Sequence, residues 1–312
     1  MKKRTRILTA AAAALVAAGV VGAAAGPALA GSPTPAASKP AAPQSLAVGT
    51  QYDFTHVYVQ PGTANEFIKS WEATFGGAHT TPVTTDVTPT SSSTISILEH
   101  SPVGSLSVFD FKTPIPYPFG TERVGYMVTS LPAGYAAALQ AGATTLVTPF
   151  NDPIGEDTVV QFPGGVDEQL YHLTDALNYP APTTVPQQHV YLTEDTWQAF
   201  VASWNRFSGG RVVSDNARAD GAQIGLPGTT FRKVELSSKF GVTDVFVTDG
   251  HLPYPFGREN TGYGVTSVAT TLQKAQAAGA KVLWSAPAAA GQPASAMLQF
   301  PGGYIAEVST AS

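Results

Sequence analysis

The feature that most constrains this 312-residue chain is a repeated Pro-Tyr-Pro-Phe-Gly segment, at Pro116–Gly120 and Pro253–Gly257, 137 residues apart. Each copy leads into Gly-Tyr-x-Val-Thr-Ser, at Gly125–Ser130 and Gly262–Ser267. The match continues outward in the same order. Upstream, His56-Val57-Tyr58 answers His189-Val190-Tyr191. There Phe67, Trp71, Gly76 and Gly77 also answer Phe200, Trp204, Gly209 and Gly210, at an offset of 133. Downstream, Ala141-Gly142-Ala143 answers Ala278-Gly279-Ala280, and Gln161–Gly165 answers Gln299–Gly303. A long period with this block order is a domain duplication rather than a solenoid, and units of this size can each bury a core.

The N-terminus carries Lys2, Lys3, Arg4 and Arg6, then an Ala/Val/Leu run, and Ala28-Leu29-Ala30 before Gly31. That pattern predicts a signal peptide over 1–30, removed on export, so the protein is expected to be secreted or otherwise extracytoplasmic and free of the membrane after cleavage. Residues 31–50 read as a Pro/Ala-rich spacer. Cleavage removes four of the 17 basic residues and none of the 22 acidic ones, leaving a net charge of about −9. With no basic patch, nucleic acid is not expected as a partner. The chain contains no Cys, which excludes thiolate zinc sites and a cysteine nucleophile.

The periodicities predict a strand over 54–59, a helix over 64–75 stopped by Gly76-Gly77, and strands over 94–98, 104–111 and 124–129. A helix over 131–141, capped by Ser130 and ended by Gly142, is followed by strands over 145–148, 158–162 and 168–173. The second copy repeats this order, with a helix over 195–207 capped by Thr193. Residues 80–93 read as a strand with a loop or mostly loop, and 211–230 as an elaborated loop. The Pro-Tyr-Pro-Phe-Gly segments are expected to be rigid loops, since proline withholds ladder donors. Their rings, Tyr117, Phe119, Tyr254 and Phe256, together with Tyr126 and Tyr263, are candidates for lining a small-molecule cleft. Equally, they can simply cover the open edge of each sheet. Trp71 and Trp204, at helical apolar spacing, read as core. His79, His100 and His172 read as surface residues.

The His-Val opening strand, the helix ending in Gly-Gly, the Ala-Gly-Ala helix end and the Phe-Pro-Gly-Gly...Glu-Val ending resemble the glyoxalase, bleomycin-resistance and extradiol-dioxygenase superfamily, also called vicinal oxygen chelate proteins. The resemblance covers about residues 51–312. It implies an α+β fold of four βαβββ modules. These would form two glyoxalase-like domains, 51–174 and 188–312, joined by a linker over 175–187. Curled mixed sheets are expected, with helices on their outer faces.

The same resemblance implies metal ligands at His56 and His189 on the opening strands and at Glu307 on the last strand. In the first copy the matching position is Gln169. Glu168 beside it takes the ligand role only if a bulge turns it round. The family's third ligand falls on Gly125 or Gly262, or on Arg123 or Asn260 if the register moves by two, and none of these is a good ligand. Glu122 and Glu259, just after the aromatic loops, are candidate third ligands or general bases, with His251 assisting in the second copy. A divalent ion (Zn, Fe, Mn, Ni or Mg) would there polarise a carbonyl or hold an enediolate, as in a lyase or dioxygenase. The alternative is a non-catalytic protein that binds or sequesters a small organic molecule. Either form is expected to be a monomer or a homodimer.

Overall fold

The computed structural model describes residues 45–175, 177–258, 260–288 and 293–311. The expected signal peptide, most of the spacer and Glu259 lie outside the described residues. The first half runs β1 (Phe54–Tyr58), α1 (Ala64–Phe75), β2 (Ala78–His79), β3 (Val83–Asp86), β4 (Ser93–Ser101) and β5 (Gly104–Phe111). It continues with β6 (Val124–Met127), α2 (Leu131–Ala141), β7 (Thr144–Asn151), β8 (Gly155–Phe162) and β9 (Val166–Leu173). The second half runs β10 (Gln187–Leu192), α3 (Trp197–Ser208), β11 (Arg211–Asp220), β12 (Thr230–Ser238) and β13 (Gly241–Val247). It closes with β14 (Asn260–Val265), α4 (Val268–Ala277), β15 (Lys281–Ala286), β16 (Ser295–Gln299) and β17 (Ile305–Thr310).

Local chemistry sets these boundaries. Phe67, Ile68 and Trp71 bury one stripe of α1, and Gly76 at φ +77° lets the chain leave the helix. Ser130 and Ser267 cap α2 and α4 by accepting hydrogen bonds from the amides of Ala133 and Thr270. In α3 the cap position is Thr196 rather than Thr193.

Each half builds one mixed sheet. The first has the order β2-β4-β5-β1-β6-β9-β8-β7, with β3 also on β4; the second has the order β11-β12-β13-β10-β14-β17-β16-β15. In both, the opening strand pairs in parallel with the last strand of its own module and antiparallel with the opening strand of the next. This is a duplicated α+β architecture. The expectation of curled sheets is corrected: each order is a linear ladder whose end strands pair with nothing further along the path, so neither sheet curls round or closes.

The helices also lie differently from the outer-face expectation. They fill the space between the two sheets, α1 against α4 and α2 against α3. Trp71 of α1 packs on Tyr263 and Phe300 of the second sheet, with ring centroids 5.0 and 5.1 Å away. Trp204 of α3 packs on Tyr126 and Phe162 of the first sheet at 5.3 and 5.1 Å. Both large apolar clusters therefore draw residues from both halves. Aromatic contacts at these spacings add to the area that the rings bury.

The loop expected over 211–230 is instead largely the edge strand β11 and a short 3-10 turn, Gly221–Ile224. Nearly all β11 side chains are exposed, and its ladder with β12 shifts register between Val212 and Ser214 and between Asn216 and Ala219. A polar strand with two shifts has no alternating pattern for a sequence to display.

Because the cores are shared, Trp204→Ala is expected to cost about 3–5 kcal/mol. Both halves should still unfold in one transition. Chemical denaturation followed by tryptophan fluorescence and by far-ultraviolet circular dichroism checks this, and two separated transitions in the parent would contradict it.

Candidate functional site

Strand alternation gives each sheet a second face, turned away from the helices. On β1 that face carries Phe54, His56 and Tyr58; on β10 it carries Gln187, His189 and Tyr191. The pairing registers make the two faces equivalent position by position. His56 stands opposite Ser107, and His189 opposite Asp244. Ser107 stands opposite Leu98, and Asp244 opposite Glu235. Phe109 stands opposite Ser96, and Phe246 opposite Lys233. Gly125 stands opposite Gln169, and Gly262 opposite Glu307. The same scaffold thus presents a mainly uncharged face in the first sheet and a charged one in the second.

The first face floors a cavity of about 410 Å³. Its walls include Phe54, Tyr58, Phe109, Phe111, Phe119 and Tyr171, with His56, Glu122, Gln169 and Asp157 among the polar groups and Asp86, Asp152, Glu156 and His172 also in the lining. Tyr58 stacks on Phe109 with centroids 5.2 Å apart and donates its hydroxyl to Glu122. Burial and the Glu122 carboxylate push the Tyr58 phenol up. His56 Nδ1 lies 3.6 Å from Glu122, a buried carboxylate whose second oxygen accepts no hydrogen bond among the described residues. Gln169 donates to Asp157 at 2.8 Å. Burial, with Asp152 beside it, pushes the Asp157 carboxyl up to about 8.

The second face floors a more polar cavity of about 610 Å³. His189 lies between two carboxylates, its Nδ1 3.4 Å from Glu307 and its Nε2 3.8 Å from Asp244. Asn260 Oδ1 is 3.1 Å from Nδ1, and Lys233 Nζ is 2.8 Å from Asp244. Burial pushes the Glu307 carboxyl up, and His189 and Lys233 oppose that rise.

His189 and Glu307 are therefore neighbours, as expected, but the residues around them do not fit a metal centre. The third position is Gly262, and a Cβ there would meet the His189 ring at 2.7 Å. His189 Nδ1 already faces Glu307 and Asn260, and a fixed ammonium sits on the remaining carboxylate. In the first sheet Gly125 is covered in the same way, with His56 Nε2 2.9 Å from a Cβ built there, and Gln169 stands where a carboxylate would be needed.

Several expected site residues lie elsewhere. β9 pairs with β6 and β8 without a bulge, so Glu168 points to the helix side. There it is fully buried and accepts from Gln188. Tyr126 and Tyr263 are buried on that same side, packed against Trp204 and Trp71, and line neither cavity. Tyr117 and Tyr254 project into solvent. Phe119 does line the first cavity, whereas Phe256 packs into an apolar cluster with Ile224 and Phe246. His251 is exposed on a loop beside Asp249.

The sequence reading missed Asp244 and Lys233. The 137-residue offset that aligns Val108-Phe109 with Val245-Phe246 also places Asp244 on Ser107, and that signal was sufficient. It also missed a cluster of Glu72, His79 and Glu99, whose ligand atoms lie within 4.8 Å of one another and could coordinate a metal ion. Burial, with Glu72 beside it, pushes the Glu99 carboxyl up to about 8.

The sequence matches no family model and no curated protein. Solved structures do match. A variant of 4-hydroxymandelate synthase from Streptomyces coelicolor aligns with a TM-score of 0.56 at 12% identity, over 83% of this chain and 91% of that one. The Mn(II)-bound glyoxalase from Novosphingobium aromaticivorans aligns at 0.53 and 14%, over 86% and 83%. A xylose isomerase-like TIM barrel/4-hydroxyphenylpyruvate dioxygenase fusion protein aligns at 0.53 and 12%, over 88% of this chain and 51% of its own length. The fold of this chain is similar to the folds of these proteins. At these identities the likeness extends to the fold alone.

Asp157 gives a pH-dependent expectation. Its folded carboxyl titrates near 8 against an ordinary value of 3.8, so the folded state holds a proton here that the unfolded chain has released. Its contribution to stability is complete below the ordinary value and is lost as pH rises through 8. Asp157→Asn retains an acceptor for Gln169 and removes the titration. The fall in Tm between about pH 5 and 8 should be shallower in the variant, as measured by thermal melts across that range. Equal slopes would contradict this assignment.

Proposed function

We propose that this is an exported small-molecule-binding protein. The first sheet takes a planar, largely apolar organic ligand into the cavity over His56. The observation that carries this reading is the composition of that cavity, aromatic walls around a small group of buried polar atoms. Sites of this make-up bind by burying ring surface and orient the ligand through few hydrogen bonds. Glu122 lines the cavity and supplies the orienting acceptor, since its second oxygen has no donor among the described residues. The favoured ligand therefore carries a hydroxyl or amine on an aromatic or conjugated ring. Uncharged Ser107 and Leu98 keep the floor hospitable to it where the second sheet has Asp244 and Glu235.

Of the two expectations from sequence, the non-catalytic one is favoured. The metal-dependent lyase or dioxygenase reading needs a ligand set that the glycines at 125 and 262 do not complete. Export rests on the basic start and the Ala28-Leu29-Ala30 ending. Among the described residues, no helix is long and apolar enough to cross a membrane.

Binding of hydroxylated and amino-substituted aromatic compounds to the secreted protein, followed by calorimetry, is the direct test. One site per chain is expected. Phe109→Ala should weaken binding about tenfold by removing the stacked wall. Ser107→Trp, which fills the floor, should abolish it with little change in Tm. N-terminal sequencing of protein from the culture medium should begin at Gly31. No binding by the parent, or equal binding by Ser107→Trp, would overturn the assignment to this cavity.

A further inference from the structure

A second set of ionisable groups lies on the helix side of the first sheet, away from the cavity. Glu72 is in the last turn of α1. The chain leaves that helix through Gly76 and Gly77, at φ +77° and +121°, and immediately forms β2. The β2–β4 register sets His79 opposite Glu99. On β4, Glu99 alternates with Leu98, which lines the cavity, so its carboxylate is directed back under the helix end. Gly77 is what leaves room for it, since a Cβ there would come within 2.3 Å of Glu99 Oε1.

These charges are poorly compensated. Glu99 has 0% exposure, and neither of its oxygens accepts a hydrogen bond among the described residues. A buried carboxylate without donors is costly. Glu72 is a second carboxylate beside it, placed at the helix end where the backbone dipole disfavours negative charge. Among the described residues, His79 is the one ion-pair partner of Glu72, its Nδ1 2.7 Å from Glu72 Oε1. The group is relieved either by a proton held on Glu99 or by a cation at a point that all three side chains can reach.

We propose that Glu72, His79 and Glu99 bind a divalent transition-metal ion that clips the end of α1 to the edge of the sheet. One imidazole nitrogen and two carboxylates suit zinc or its first-row neighbours better than calcium or magnesium, which favour all-oxygen shells. Glu72 and His79 are partly exposed, so water completes the coordination. The ion's role is structural, because the ligands face away from the first cavity.

The test uses the secreted chain stripped with EDTA and titrated with zinc chloride. The parent should bind one zinc per chain by calorimetry and gain several degrees in Tm. His79→Ala, a change at an exposed position, and Glu99→Gln should each weaken zinc binding at least about tenfold and lose the Tm gain. His189→Ala should bind zinc as the parent does. Cobalt loaded into the parent should show visible absorption that His79→Ala lacks. No zinc binding by the parent, or unchanged binding by His79→Ala, overturns the site. Loss of binding in His189→Ala instead would place the ion on the second sheet and overturn it equally. Neither result bears on ligand binding in the first cavity, which calorimetry with aromatic compounds reads separately.

Discussion

The layer of helices shared between the two sheets is the constraint on which the other features rest. An amphipathic helix must cover its apolar stripe, and a mixed sheet must cover one face. Here α1 and α3 meet both needs at once, on their own sheets and on the opposite ones, while α2 and α4 pack on their own sheets and on α3 and α1. Trp71 and Trp204 are the bulkiest links, and each is fully or almost fully buried. Since the helix faces are used against each other, the remaining face of each sheet is left for a cavity. Period-two alternation then decides which side chains belong to which face, and no side chain can serve both.

That separation explains how the two faces diverged. The histidines, the tyrosines two residues beyond them and the phenylalanines across from those tyrosines occur in both halves, and Tyr191 stacks on Phe246 much as Tyr58 does on Phe109. The neighbours changed: Ser107 corresponds to Asp244, Gln169 to Glu307 and Ser96 to Lys233. None of these substitutions touches the helix layer, so the packing places no restriction on them. A duplicated scaffold whose interior is packed independently of these positions is free to make one face suit apolar matter and the other hold a chain of charges.

The repeat made the architecture legible because its blocks are turns and helix ends, whose glycines, prolines and capping serines have local physical causes. The indoles were legible as core by spacing, but their partners were not, because contacts between the halves leave no periodic trace. Orientation was the main loss at the site. Tyr126 and Tyr263 follow conspicuous loops, yet strand parity turns them inward to the helix layer. Glu168 was identified as facing the wrong way unless a bulge intervened, and the unbroken ladder of β9 shows none. The Glu72–His79–Glu99 group was illegible for a different reason. Its members come from a helix end, a two-residue edge strand and the strand beside it, and only tertiary pairing unites them.

The glycines beneath the two imidazoles have a consequence for descent. With His189 resting on bare backbone at Gly262, any side chain added there must first displace the ring that a coordinating triad would require. The most direct single-step path toward a complete ligand set through that strand is therefore sterically barred. A lineage starting from this chain would have to recruit its missing donor from a loop, or move the histidine before filling the gap.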